Sequence, residues 1–136
     1  MPSITFERNL TGIDWQALTA DLHADDFDNG RTPEELRTSF ENSFAVCFAI
    51  ADGKVIGKAR LLSDCVCNAY LVDVWTQSEY RHRGIASEML CLLLEELPGQ
   101  HVYLQTDDDT VAFYERNGFH AHPNGMAKVI GSWLNR

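Results

Sequence analysis

Apolar residues fall into a few runs along the chain, and the spacing within each run assigns an element. Residues 4–7 read as a short strand. Trp15, Leu18 and Leu22 then stand at i, i+3 and i+7, the stripe of a helix, with Asp14 placed to cap it and Ile13 to staple onto Leu18. Thr32-Pro33-Glu34-Glu35 combines a capping box with proline at the first helical position and opens a second helix carrying Leu36 and Phe40. Residues 44–51 form an unbroken apolar run, Asp52-Gly53 is a favoured two-residue hairpin turn, and residues 54–62 return as a second strand. After a loop over 63–68, residues 69–76 form another strand. Alternation there sets Leu71, Asp73 and Trp75 on one face and Val72, Val74 and Thr76 on the other.

The chain is organised around the stretch that follows. Residues 74–97 read VWTQSEYRHRGIASEMLCLLLEEL, an apolar strand end that breaks into a polar turn and restarts as a helix whose Met89, Leu92, Leu93 and Leu97 face the core. Pro98-Gly99 ends that helix. Residues 101–105 read as a strand, 107–109 as its exit, and 110–117 as a short helix closed by Gly118. Pro123-Asn124-Gly125 turns the chain, and residues 126–133 supply a last strand.

The turn at Arg81-His82-Arg83-Gly84-Ile85-Ala86 suits an anion. Glycine and alanine keep side chains away, so N–H groups at the start of the helix point outward, with the helix dipole and two arginines adding positive charge. With 136 residues, 45% hydrophobic, the chain buries one core and forms one domain. Eleven basic against 20 acidic residues give a net charge of −9, which argues against nucleic acid and for a small cationic partner. No stretch reaches the roughly 20 apolar residues that span a bilayer, and the first residues open no secretory signal, so no membrane partner and a cytoplasmic location are expected. Cys47, Cys65, Cys67 and Cys91 lack C-x-x-C spacing, and three lie in apolar patterns, which predicts reduced core thiols. His120 and His122 would share a strand face, but no third ligand accompanies them and no metal is expected.

Two further features bear on chemistry. The acidic stretch around Asp25, Asp26 and Asp28 is a solvated loop or the wall of a cation pocket that includes Phe27 and Trp75. Asp73 sits mid-strand, and a buried carboxylate needs a cationic partner, a hydrogen-bond network or a catalytic reason; a salt bridge to Arg60 or another basic side chain is the structural alternative.

The strand followed by Glu79-Tyr80-Arg81-His82-Arg83-Gly84-Ile85-Ala86 resembles the R/Q-x-x-G-x-G/A motif of the GNAT superfamily of acyl-CoA N-acyltransferases, with alanine in the last glycine position. Downstream, Phe113-Tyr114-Glu115-Arg116-Asn117-Gly118-Phe119 is similar to that family's second signature, F-Y-x-x-x-G-F; Thr110 stands where alanine is commoner and Asp107 where asparagine is frequent. The resemblance implies an α/β domain with a mixed, largely antiparallel sheet flanked by helices. It implies acetyl-CoA as cosubstrate, with Val74, Trp75 and Thr76 along the pantetheine arm and Arg81, His82, Arg83, Gly84, Ile85, Ala86 and Ser87 around the pyrophosphate. It further implies Tyr114 as the acid that protonates the CoA thiolate; in the expected mechanism a backbone N–H near Val74 serves the oxyanion and Asp73, through a water, is the base. Within the superfamily the chain looks most like plant and cyanobacterial arylalkylamine N-acetyltransferases and their bacterial relatives, which makes a small amine the expected acceptor. A homodimer is left open, and a CoA-binding sensor without turnover is the rival reading.

Overall fold

Alternation along β2 (Ala45–Ala51) explains how one sheet carries two apolar layers. Val46 and Phe48 project to one side, where they meet Leu18, Leu22, Leu36 and Phe40, while Cys47 and Ala49 project to the other, beneath Ile85, Met89, Leu90 and Leu93. The structure is a computed structural model that describes residues 3–95, 97 and 99–131. Its sheet runs β1 (Ile4–Glu7), β2, β3 (Lys54–Ser63), β4 (Asn68–Thr76) and β5 (His101–Tyr103) in that spatial order. Neighbours are antiparallel except for the parallel pair β4 and β5. Helices α1 (Trp15–Ala24) and α2 (Pro33–Glu41) cover the first face; α3 (Ile85–Leu94) covers β2, β3 and β4 on the second. A short α4 (Val111–Arg116) follows β5, and its Phe113 and Tyr114 pack against the second layer.

Local chemistry sets the element ends. Asp14 caps α1 by accepting the Ala17 N–H at 3.0 Å. Thr32 and Glu35 close a reciprocal capping box at the start of α2, with bonds of 3.1 and 2.9 Å, and such caps each contribute about 1 kcal/mol. Both hairpin residues between β2 and β3 are left-handed, Asp52 at φ 52° and Gly53 at φ 73°, as the tight turn requires. Gly57 allows α3 to approach the sheet: a Cβ there would lie 3.2 Å from both the Ala49 Cβ and the Met89 Cε.

Several expectations are corrected. Only Cys47 is buried, and burial pushes its thiol up to about 11; Cys65, Cys67 and Cys91 are exposed. The loop holding Cys65 and Cys67 turns about Asp64, whose carboxylate accepts the N–H groups of Val66, Cys67 and Asn68, which hold it down at about 2. Helix α3 stops at Leu94, short of Pro98, although Leu97 still packs against the core. Met126 to Ile130 form no strand, and Met126, Val129 and Ile130 are exposed; Trp133 lies outside the described residues. Leu71 and Trp75 do not share a face, for a reason that belongs to the site.

Candidate active site

The two strands opposite each other at the centre of the sheet do not match in length. Lys58 pairs with Trp75 and Arg60 with Val72, so the single residue Ala59 faces both Asp73 and Val74. Asp73 is the extra residue of a β-bulge, held at φ +61°. The added residue shifts the parity of the strand: Leu71 points under α3 and Trp75 into the aromatic layer of α1 and α2. Simple alternation carried across the bulge therefore fails.

Side chains hold the bulge in place. Arg31 grips the Asp73 carboxylate with two parallel bonds of 3.0 and 2.8 Å, Arg60 Nε donates to Oδ2 at 2.5 Å, and Lys58 Nζ lies 3.4 Å from Oδ1. Lys58 Nζ also donates to the main-chain carbonyl of Asp73 at 3.1 Å. Burial by itself would raise the carboxyl; Lys58, Arg31 and Arg60 outweigh it and hold Asp73 well below the usual carboxylate range. Burial pushes the Lys58 ammonium down to about 8, between the rings of Phe27 and Phe40 at 5.1 and 5.8 Å. The expected role of Asp73 as a base is corrected on this geometry: a carboxylate with every oxygen held by cations takes up no proton near neutral pH, and the ion-pair alternative describes it.

Beyond the bulge the strand edge opens. Pairing of β4 with β5 runs from Asn68 opposite His101 to Tyr70 opposite Tyr103, and no further pair follows among the described residues. The Gln77 N–H donates to the Ile56 carbonyl at 2.8 Å, and Trp75 stands opposite Lys58, so both residues turn their backbone groups toward β3. Ladder alternation then turns the groups of Val74 and Thr76 to the open side. Arg81 Nε reaches the outward Thr76 carbonyl at 2.9 Å. The Thr76 hydroxyl is buried without a hydrogen-bond partner. Trp75, expected beside them, instead turns its backbone inward and buries its indole, whose Nε1 donates to Asp25 at 3.0 Å.

The open edge leads to the turn. A 3₁₀ turn at Ser78–Tyr80 is followed by exposed Arg81, His82, Arg83 and Gly84, with His82 at φ 64° and Gly84 at φ 80°. Gly84 is the N-cap of α3, and the first helical bond runs from the Glu88 N–H to the Gly84 carbonyl at 3.1 Å. The N–H groups of Ile85, Ala86 and Ser87 have no acceptor within the helix. A Cβ at Gly84 would meet nothing within 4 Å, so the cradle in front of them is open. Arg83 stacks over Tyr80 at 5.2 Å and donates to the Glu79 carbonyl at 3.2 Å.

Tyr114 is half-buried between Phe113 and Phe119, ring centroids 5.0 and 5.8 Å away, and burial raises its phenol. It borders the same apolar cluster as Val74 and lines a cavity of about 640 Å³ together with Tyr70, Tyr103, Thr106, Phe119 and His122. In the acidic loop, Asp25 Oδ2 accepts from Trp75 and from the Ser78 N–H at 3.2 Å and lies 3.6 Å from Arg81, while Asp28 meets His23 at 3.2 Å. Two of the three carboxylates are thus taken up internally; Asp26 is exposed. No three His, Cys, Asp or Glu side chains gather as a metal site among the described residues. Sequence reasoning missed Arg31, which stands in an irregular loop with no pattern to mark it. It also missed Lys58, although a lysine inside the apolar run of β3 was a readable signal.

The geometry defines a class: a domain that presents an open strand edge and an uncapped helix N-terminus in line. Residues 12–119 match the Acetyltransferase (GNAT) family, and the chain belongs to it. It is 34% identical over 76 residues to the chloroplastic GCN5-related N-acetyltransferase 2 of Arabidopsis thaliana, a match covering 54% of this chain and 30% of that protein. The chain thus spans less than a third of that relative. Among solved structures, an inferred acetyltransferase of Deinococcus radiodurans superposes with a TM-score of 0.78 at 31% identity, covering 92% of this chain and 87% of its own. Another, from Clostridium acetobutylicum and solved with acetyl-CoA, shares the fold with a TM-score of 0.71 at 17% identity, covering 93% and 96%. No helix among the described residues is long and apolar enough to cross a membrane.

Proposed function

We propose that the chain is an acetyl-CoA-dependent N-acetyltransferase acting on a small amine. One observation carries the reading: outward backbone groups at Val74 and Thr76 run directly to the unpaired N–H groups of α3. The residues fit the donor. Ile85, Ala86 and Ser87 would hold the pyrophosphate, with Arg81, His82 and Arg83 around it and Gly84 leaving room; Val74, Thr76 and the unpartnered Thr76 hydroxyl would meet the pantetheine arm. Acetyl-CoA supplies an acyl group on a good leaving thiolate.

In the chemistry, the amine, having lost a proton to water, attacks the thioester carbonyl. The Val74 N–H donates to the oxygen as negative charge develops there, the carbon–sulfur bond breaks, and Tyr114 passes its proton to the thiolate and recovers one from solvent. A phenol raised by burial stays protonated at neutral pH, as an acid must. Holding both substrates in one cleft supplies much of the acceleration. We assign the acceptor to the cationic arylalkylamines. The aromatic lining of the cavity beside Tyr114 and the net charge of −9 support that class.

The test is acetyl-CoA consumption against arylalkylamines, polyamines, amino acids and a peptide amine, with free CoA as the readout. Release of CoA with the arylalkylamines is expected. Binding of acetyl-CoA without CoA release from any amine would instead identify a sensor.

A further inference from the structure

Lys58 is a costly residue that the charge balance of its site does not require. Its side chain is fully buried, 0% exposed. Three cations surround one carboxylate, and Arg31 and Arg60 already supply both Asp73 oxygens with close donors. Lys58 stands farther from that carboxylate, at 3.4 Å, than from the Asp73 main-chain carbonyl, at 3.1 Å. An apolar side chain would fill the same space without a buried charge. The contact that singles Lys58 out is the one to the backbone.

That carbonyl belongs to the peptide whose other end is the Val74 N–H. A trans peptide is planar, with its C=O and N–H pointing in opposite directions, so holding the oxygen on the β3 side sends the N–H to the open edge. Asp73, left-handed at φ +61°, is the extra residue of the bulge, so the regular ladder does not fix the orientation of this peptide. An ammonium on the oxygen also draws electron density from the amide and makes its N–H a stronger donor. We propose that Lys58 is a positioning residue for acyl transfer: it holds the Asp73 carbonyl and so aims and polarises the Val74 N–H that receives the thioester oxygen. The inference rests on the acetyltransfer reading above. At neutral pH the ammonium remains charged, since burial brings it down only to about 8.

The test reads the thioester carbonyl itself and needs no acceptor. Acetyl-CoA labelled with ¹³C at the acetyl carbonyl is bound to the protein, and its stretching band is followed by isotope-edited infrared difference spectroscopy. Wild type should shift the band to lower frequency. Lys58→Met should bind acetyl-CoA with unchanged affinity and lose most of that shift, and Lys58→Arg, which keeps a charged donor, should regain part of it. With an amine that wild type turns over, kcat of Lys58→Met should fall at least about tenfold at unchanged KM for acetyl-CoA. Should Lys58→Met fail to fold, Lys58→Gln takes its place with the same expectation. A full downshift in the folded neutral variant overturns the proposal. So does a loss of shift that only parallels a loss of affinity, which is what a merely structural lysine would give. Failure of wild type to bind acetyl-CoA at all overturns instead the reading on which the proposal rests.

Discussion

Two places in the chain, eleven residues apart, adopt the same left-handed backbone by opposite means. Gly84 stands exposed at φ 80°, where a residue without a Cβ bears little steric penalty and open space surrounds it. Asp73 stands buried at φ +61°, a conformation that costs an ordinary residue about 1–2 kcal/mol, and three basic side chains hold it there. One geometry is inherent in the residue and the other is imposed by its surroundings. The first therefore tolerates changes around it but not at it; the second depends on residues far away in sequence.

The contrast can be broken most strongly at Arg31. Arg31→Met removes the two-pronged grip on Asp73 and should lower stability by about 3 kcal/mol, the lower end for a broken buried pair because Arg60 and Lys58 remain. Urea unfolding checks this, and a loss below about 0.5 kcal/mol would mean that the bulge holds itself. At the other place the larger part of the penalty should appear only with ligand. Gly84→Val should cancel most of the stabilisation by acetyl-CoA, about 2.7 kcal/mol at a hundredfold excess over Kd, while the free protein loses about 1–2 kcal/mol to strain. Wild-type affinity in that variant would remove the phosphate site from the turn.

Smaller effects sharpen the same comparison. Tyr114→Phe should leave the fold and acetyl-CoA affinity intact and lower kcat at least about tenfold. A value within about twofold of wild type, under chemistry-limited conditions, would exclude it as the acid. For Lys58, which faces Asp73, Arg31 and Arg60, burial lowers the ammonium from 10.5 to about 8 in the folded chain. Between those values the unfolded chain holds a proton that the folded chain has released, so this group makes stability rise with pH, by at most about 1.4 kcal/mol per unit. Below about 8 its unfavourable contribution is complete and constant. Wild type should therefore gain on Lys58→Met in unfolding experiments between about pH 8 and 10, and parallel curves would refute the shift. Least affected should be Asp26→Asn: Asp26 is exposed, and its change should move KM for a cationic amine by less than about twofold. A larger rise would restore the acidic loop as part of the acceptor pocket.

What was legible follows the same division. The Asp14 cap, the Thr32–Glu35 box, the Asp52-Gly53 hairpin and the turn at Gly84 are local agreements between a residue and its own backbone, and spacing alone exposes them. The bulge is not local. An aspartate in a run of alternating residues looks the same whether it pairs across the sheet or displaces it, and the decision is made by Arg31, 42 positions earlier. Trp75 departs from simple alternation for that reason, because its face depends on the residue inserted before it. Met126, Val129 and Ile130 misled in another way: their composition suits a strand, but none forms among them.

The bulge also gives β4 a counting rule for insertions and deletions. Removing one residue between Val72 and Trp75 would restore plain alternation and leave Trp75 opposite Lys58 on its present face, but would abolish the turned peptide at Asp73. Removing two would slip the strand by one residue, sending the indole of Trp75 under α3 and the Thr76 hydroxyl into the aromatic layer and drawing the turn at Gly84 back by about 3 Å along the strand. Neither change can be repaired by a substitution elsewhere in the strand, so the number of residues between Val72 and the helix start at Ile85 is as constrained as the identity of any one of them.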